Sequence, residues 1–338
     1  MAKMSAFQVA RPNGPLELVE RTIPEPGPGM VRIKVDACGV CHTDWAVVQG
    51  AIPGTQFPRV PGHEVIGVID ACGPGVTRWK SGDRVGVGYN GGYDGVCEAC
   101  QRGDFFACAS GQVTGATSDG GYAEYMLAQV SALARIPAEL TAVEAAPLMC
   151  AGLTTYNGLR RSGARAGDLV AVLGIGGLGH LAVQFAVKMG FRTVAIARGK
   201  DKGPLATQLG AHHYIDSDAG DVAASLRALG GARIVAATAT SAKAMSSTIA
   251  GLAVNGKLLL MGVPLDKLEV PPFTLFSGRL AVEGVNTGTA IDAADTLAFS
   301  LLANVRPINE LFPFKQAPEA YQRMLHGARF RAVLDMTR

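Results

Sequence analysis

Glycines, thiols and a few basic residues carry the chemistry that this 338-residue chain could do. Gly174-Ile-Gly176-Gly177-Leu178-Gly179-His180 stands between an apolar run and an apolar stretch of helical character. In that setting each glycine has a reason. Gly174 permits a tight turn, Gly176 lets the backbone approach a pyrophosphate, and Gly179 lets a helix pack closely on a strand. The N–H groups at the helix start then suit the phosphates of a dinucleotide. An acid about 20 residues on, at the end of the next strand, would hold the ribose 2′-hydroxyl of NAD(H). The chain has Ala197-Arg198-Gly199-Lys200 there instead. Ala197 leaves room, and Arg198 with Lys200 or Lys202 could neutralise a 2′-phosphate, which a planar guanidinium fork fits well. NADP(H) is therefore preferred, with NAD(H) as the alternative. Arg198 could otherwise be a solvated residue at a helix start or stack on adenine.

A second group is Cys97, Cys100 and Cys108 in the stretch CEACQRGDFFAC, part of an odd total of seven cysteines. The opening MAKMSAFQVARPNG has no long apolar core, so no secretory signal is expected and a reducing cytoplasm is the default. Thiols this close in such a compartment read as metal ligands or reactive groups before disulfides.

Two textures must position these residues. Up to about residue 145 the chain is rich in Gly and Pro, with β-type runs at 31–35, 65–69 and 84–87 and turn signals between them. From about 150 strands and helices alternate. Strands are expected at 168–173, 193–197, 213–215, 233–238, 257–261 and 279–285. Helices are expected from the glycine turn to Met189 and at 201–209, 219–229 and 242–252. That alternation argues for an α/β fold with a parallel sheet covered on both faces. The tail adds helices at 292–302 and 318–325 and a strand at 331–335. With 48% hydrophobic and 17% charged residues the chain is not a disordered one. Its 31 basic and 28 acidic residues are too balanced for a nucleic-acid binder. No stretch approaches 18 uninterrupted apolar residues, so no membrane partner is expected.

Three further motifs precede the glycine turn: Cys38-Gly-Val-Cys41-His42-Thr43-Asp44, Gly62-His63-Glu64 and Ala146-Pro-Leu-Met-Cys150-Ala-Gly152. With them the chain resembles the zinc-dependent medium-chain alcohol dehydrogenases, cinnamyl-alcohol-type and bacterial members included, over essentially its whole length. The resemblance implies a Rossmann doubly wound parallel sheet domain at 151–285. It also implies a β-rich, GroES-like catalytic domain made of 1–150 and 286–338. It maps the ligands of a catalytic zinc onto Cys41, His63 and Cys150, with a fourth position left for water or substrate. Two thiolates offset the dication, which still polarises an alcohol or carbonyl oxygen. Asp44 matches the carboxylate that orients the His ligand. Glu64 can approach the metal during exchange, and Thr43 matches the hydroxyl that takes the substrate proton. The His that often ends this relay is replaced here by Ala46, so the proton path must end differently. Cys38 and Cys72 have no such pattern and read as small buried residues.

The family's structural zinc frame C-x2-C-x2-C-x7-C reads Asp94-x2-Cys97-x2-Cys100-x7-Cys108 here. A carboxylate can bind zinc through oxygen, so a second, structural zinc is expected, the alternative being a lobe without metal. Thr154 and Val263 correspond to residues flanking the nicotinamide, and Arg331 and His42 to contacts with the pyrophosphate. Trp45, Ile52 and Asn90 fall where the substrate cleft is expected, or in ordinary packing. The implied activity is hydride transfer between a small alcohol, aldehyde or ketone and the nicotinamide cofactor, in a homodimer or homotetramer. A zinc-free quinone or enone reductase on the same fold is disfavoured by Cys41, His63 and Cys150 together, and a polyol dehydrogenase by the Cys at position 150. A non-enzymatic zinc redox sensor would not need the glycine turn.

Overall fold

The run Leu169–Leu173 is Val, Ala and Leu throughout and is buried at every position, the pattern of a strand covered on both faces. It lies in a six-stranded parallel sheet in the order His213–Asp216, Arg192–Ala197, Leu169–Leu173, Ala232–Ala237, Leu252–Leu260, Ala281–Gly284. The second strand of the series pairs on one side of Leu169–Leu173 and a later one on the other. The strand order therefore reverses beside Leu173, which is where open α/β sheets place their ligands. The computed structural model describes residues 2–327 and 330–338. They form two units, one of residues Thr154–Thr287, the other of the chain up to Leu153 and from Gly288 onward.

Within the sheet unit several elements depart from expectation. The helix expected at 242–252 is split into Ala242–Ser246 and a 3-10 turn, Ile249–Gly251, with a strand beginning at Leu252. Gly251 packs closely within the 3-10 turn, where a Cβ would sit 2.8 Å from the Leu226 side chain. The helix expected at 219–229 begins at Val222, because Asp221 caps it by accepting from the N–H groups of Ala223 and Ala224. A helix at Pro272–Gly278, with Pro at its start, was not expected. Its Phe273 and Phe276 are 80% and 82% exposed, so it shows no buried apolar stripe.

The other unit is β-rich. Its main sheet runs Asn309–Pro313, Arg331–Asp335, Met30–Val40, Val65–Cys72, Arg84–Val87, Leu133–Arg135, and Tyr125–Gln129 also pairs with Met30–Val40. Lys3–Val9 pairs with Leu16–Thr22 beside it. The core gathers Val31, Ile33, Ile69, Val85, Tyr122 and Phe314. The tail strand Arg331–Asp335 lies antiparallel to the end of Met30–Val40, with Ala332 opposite Val40. Cys38 is fully buried. Cys72 is exposed, contrary to expectation; it ends its strand, where the burial pattern of Val65–Cys72 gives way to solvent.

Candidate active site

Two neighbouring strands deliver the first cluster. Met30–Val40 ends just before Cys41, and Val65–Cys72 begins just after Glu64. The two are paired, with Cys38 opposite Val65. Cys41 caps the helix His42–Val48, and its N–H donates to Asp44 Oδ2 at 2.9 Å. Cys150 follows the short turn Ala146–Met149 and brings its Sγ to 4.0 Å from Cys41 Sγ. One ligand atom each from Cys41, His63, Glu64 and Cys150 lies within 4.8 Å of the others, and all four residues are buried.

Asp44 organises this cluster. Its Oδ1 lies 2.9 Å from His63 Nδ1 and accepts from the Gly62 N–H at 3.2 Å. The carboxylate thus claims the Nδ1 proton and leaves Nε2 to face the thiols. Buried, His63 Nε2 has no hydrogen-bond partner, and neither does Glu64 Oε2. Buried polar atoms are seldom left so. Two such donors beside two thiols are what a tetrahedral zinc ion would satisfy. Gly39 makes room for Glu64, since a Cβ there would lie 1.9 Å from Oε2. The other carboxylate oxygen, Oε1, pairs with Arg331 Nη2.

The electrostatics match a site built for a cation. The Cys150 thiol, donating to Cys41, together with His63 and Arg331, holds the Cys41 thiol well below its ordinary value despite burial. Cys150 moves the opposite way, pushed up by the Cys41 thiolate and by burial. Burial pushes Glu64 up to about 8 against the pull of Arg331. Burial opposes charging of His63, but the Asp44 carboxylate outweighs it and raises the imidazole well above its usual range. Thr43 Oγ1 sits 3.8 Å from Cys41 Sγ, and the Tyr89 ring meets His63 edge-on at 6.0 Å.

In the second cluster one ligand atom each from Asp94, Cys97, Cys100 and Cys108 lies within 4.8 Å of the rest. Asp94 Oδ1 accepts the N–H groups of Val96 at 2.8 Å and Cys97 at 3.0 Å. The Cys97 and Val96 N–H groups hold this carboxylate well below its usual range. The Asp94 N–H in turn donates to Cys108 Sγ at 3.4 Å. These two clusters are the groups of three or more His, Cys, Asp or Glu with metal-ligand spacing among the described residues.

In the sheet unit, Gly174 has φ +95° and Gly179 packs so closely that a Cβ would lie 1.8 Å from Gly174 O. Gly176 faces open space. Gly177 and Leu178 complete the turn, Leu178 as cap of the helix Gly179–Lys188. Arg198 is exposed at the end of Arg192–Ala197, and Lys202 is half-buried in the turn Lys200–Lys202. The backbone between them is tied at Gly199, whose N–H donates to Asp216 Oδ1 at 2.8 Å and whose carbonyl accepts from the Tyr214 hydroxyl. Thr154 is buried and Val263 is 83% exposed.

In the β-rich unit His42 is exposed. Trp45 packs against the core, the Ile52 carbonyl accepts from Thr55, and Asn90 Oδ1 accepts from Gly92. The Arg331 guanidinium is buried against Glu64, and its motif neighbours Ala328 and Arg329 lie outside the described residues. Sequence reasoning missed Tyr122, whose hydroxyl donates to Asp44 Oδ2 at 3.0 Å. Its only signal was the preceding Gly120-Gly121 pair, which marks a close backbone approach.

Residues 27–138 match the model of the alcohol dehydrogenase GroES-like domain, and residues 177–304 that of zinc-binding dehydrogenases. The alcohol dehydrogenase notN of Aspergillus sp. is 44% identical over 323 residues, 95% of each chain. A cinnamyl alcohol dehydrogenase from Sorghum bicolor matches with a TM-score of 0.90 at 30% identity, covering 99% of this chain and 98% of that one. The CAD from Helicobacter pylori complexed with NADP(H) matches with a TM-score of 0.88 at 26% identity, covering 100% and 99%. A buried Cys-His-Cys cluster on a β-rich unit, a glycine turn at a sheet's switch point and these likenesses converge: the chain belongs to the zinc-type medium-chain alcohol dehydrogenases and is an oxidoreductase of that family.

Proposed function

We propose that the chain is a zinc-dependent, NADP(H)-preferring alcohol dehydrogenase or carbonyl reductase, acting on small alcohols, aldehydes or ketones. One observation carries this reading. Cys41, His63 and Cys150 converge in a buried cluster in which His63 Nε2 has no partner. Zinc, when bound there, supplies Lewis-acid polarisation of a substrate oxygen, and a nicotinamide cofactor supplies the hydride acceptor or donor. Cys41, His63 and Cys150 are the ligands, and Asp44 keeps His63 in the tautomer that offers Nε2. The Thr43 hydroxyl takes the substrate proton at Oγ1 and hands it to water, since Ala46 offers no relay. Glu64 Oε2 is the spare donor for ligand exchange.

Residues 151–285 form the dinucleotide domain in this reading, and 1–150 with 286–338 the catalytic one. The turn Gly174–Gly179 receives the pyrophosphate. Arg198 and Lys202 receive the 2′-phosphate, which favours NADP(H) over NAD(H). Thr154 and Val263 flank the nicotinamide, and His42 contacts the phosphates. The guanidinium of Arg331, engaged by Glu64, would have to share itself with the pyrophosphate. Asp94, Cys97, Cys100 and Cys108 hold a structural zinc. A second copy of the chain pairs along Ala281–Gly284, the last strand of its sheet, and covers the exposed Phe273 and Phe276. Steady-state rates with NADPH and NADH across an alcohol and carbonyl panel, with zinc measured on the same sample, test the reading. Equal or better turnover with NADH would remove the cofactor preference, and turnover without zinc would remove the metal.

A further inference from the structure

His63 is held through a second segment of chain, which lies along the loop that carries it. Val60 N–H donates to Asp119 Oδ1 at 3.2 Å. Gly120 N–H reaches Val60 O at 2.8 Å, Gly121 N–H reaches Gly62 O at 2.9 Å, and Tyr122 N–H reaches Pro61 O at 3.0 Å. The Tyr122 ring then passes beneath Gly62. That residue has φ +103°, and a Cβ on it would lie 2.5 Å from the ring. Glycine there serves both the backbone conformation and the ring. At the far end of the ring the hydroxyl donates to Asp44 Oδ2 at 3.0 Å.

Asp44 therefore faces four groups: the N–H groups of Cys41 and Gly62, His63 Nδ1 and the Tyr122 hydroxyl. The first three come from residues that are, or adjoin, proposed ligands. Only Tyr122 belongs to another segment. Asp44 and Tyr122 are both fully buried, so bulk water does not reach the bond between them. Without it, Oδ2 keeps only the Cys41 N–H, and the carboxylate is freer to turn about its terminal bond.

We propose that Tyr122 is a positioning residue for the metal centre, its hydroxyl fixing the Asp44 carboxylate and, through it, the ring of His63. The inference rests on Cys41, His63 and Cys150 being zinc ligands. Partners in the outer shell of a metal site typically contribute 10–100-fold in metal affinity. Tyr122 acts one bond further out, so its effect belongs at the lower end.

The test uses the purified holoenzyme and Tyr122→Phe, which keeps the ring and removes only the hydroxyl. Zinc release to a chromogenic chelator is timed, and the visible bands of the cobalt(II)-substituted protein are recorded. Tyr122→Phe should speed release of the catalytic zinc roughly tenfold and shift the cobalt bands. In an Asp44→Asn background the same change should add less than about twofold, because coupled residues are not additive. Wild-type release with unchanged cobalt bands in Tyr122→Phe would overturn the proposal, and so would an equal acceleration in the Asp44→Asn background. Should Asp44→Asn fail to fold, the cobalt bands of Tyr122→Phe decide alone. A wild type that binds no zinc through Cys41, His63 and Cys150 would instead overturn the reading beneath it.

Discussion

Cys41 and Cys150 are 109 residues apart in sequence and 4.0 Å apart in space. The Cys150 thiol eases ionisation of Cys41, whose thiolate then resists ionisation of Cys150, and a dication removes that conflict. Cys41→Ser, His63→Ala and Cys150→Ser should each abolish most alcohol oxidation and release zinc, which metal analysis of the purified variants checks. In the proposed function, the choice between NADP(H) and NAD(H) rests on Arg198. Arg198→Asp removes a charged contact and adds a repulsive one, and a charged hydrogen bond is worth about 1.5–3 kcal/mol, so the NADPH/NADH specificity ratio should fall roughly tenfold to a hundredfold. An unmoved ratio would return Arg198 to the solvated surface. Cys41, His63 and Cys150 could be singled out in the sequence because the resemblance maps a catalytic zinc's ligands onto them. Tyr122 did not, because a tyrosine 78 residues from Asp44 carries no mark of what its hydroxyl will meet. The engagement of Arg331 by Glu64 was hidden for the same reason.

Elements decide how firmly those residues are held. In the lobe, Asp94 uses Oδ1 to tie the backbone at Val96 and Cys97, so it shapes the loop whose metal the proposed function assigns to it. Asp94→Ala should lower the melting temperature and expose Cys97, Cys100 and Cys108 to alkylation, while Asp94→Cys should keep the metal, since binding free energy enters the folded state alone. Three thiols freely alkylated in the native wild type would show a lobe without metal. A more local element is the capping box at Thr141, whose hydroxyl and N–H both meet the Glu144 carboxylate. Thr141→Ala should cost about 1 kcal/mol. The Thr141 hydroxyl lowers the Glu144 carboxyl from its ordinary 4.5. Its contribution is therefore full above pH 4.5 and fades as acid protonates the folded carboxyl. The gap between melting curves of wild type and Thr141→Ala should narrow in acid to the part owed to the Thr141 hydroxyl accepting the Glu144 N–H. The regular alternation of strands and helices could be read because apolar runs such as Leu169–Leu173 repeat at even spacing. The break after Ser246 could not, since no Pro or Gly marks it in the sequence before Gly251.

For the whole molecule, the β-rich unit is assembled from both ends of the chain. The tail strand Arg331–Asp335 completes the sheet that ends at Cys41, and it delivers Arg331 to Glu64. Truncation before Arg331 should therefore disturb the metal cluster as well as the sheet, a link that sequence position alone does not suggest. The resemblance carried the two-part organisation because its motifs occur in the family's order over most of the chain. In the proposed function Cys41, His63 and Cys150 bind the zinc on which alcohol oxidation depends. The direct measurement is zinc per subunit and NADP-dependent alcohol oxidation, taken on the same preparations of wild type and His63→Ala. Two zinc ions and activity are expected in the wild type, and one zinc ion without activity in the variant. Undiminished oxidation by a His63→Ala protein that has lost no zinc would contradict that assignment.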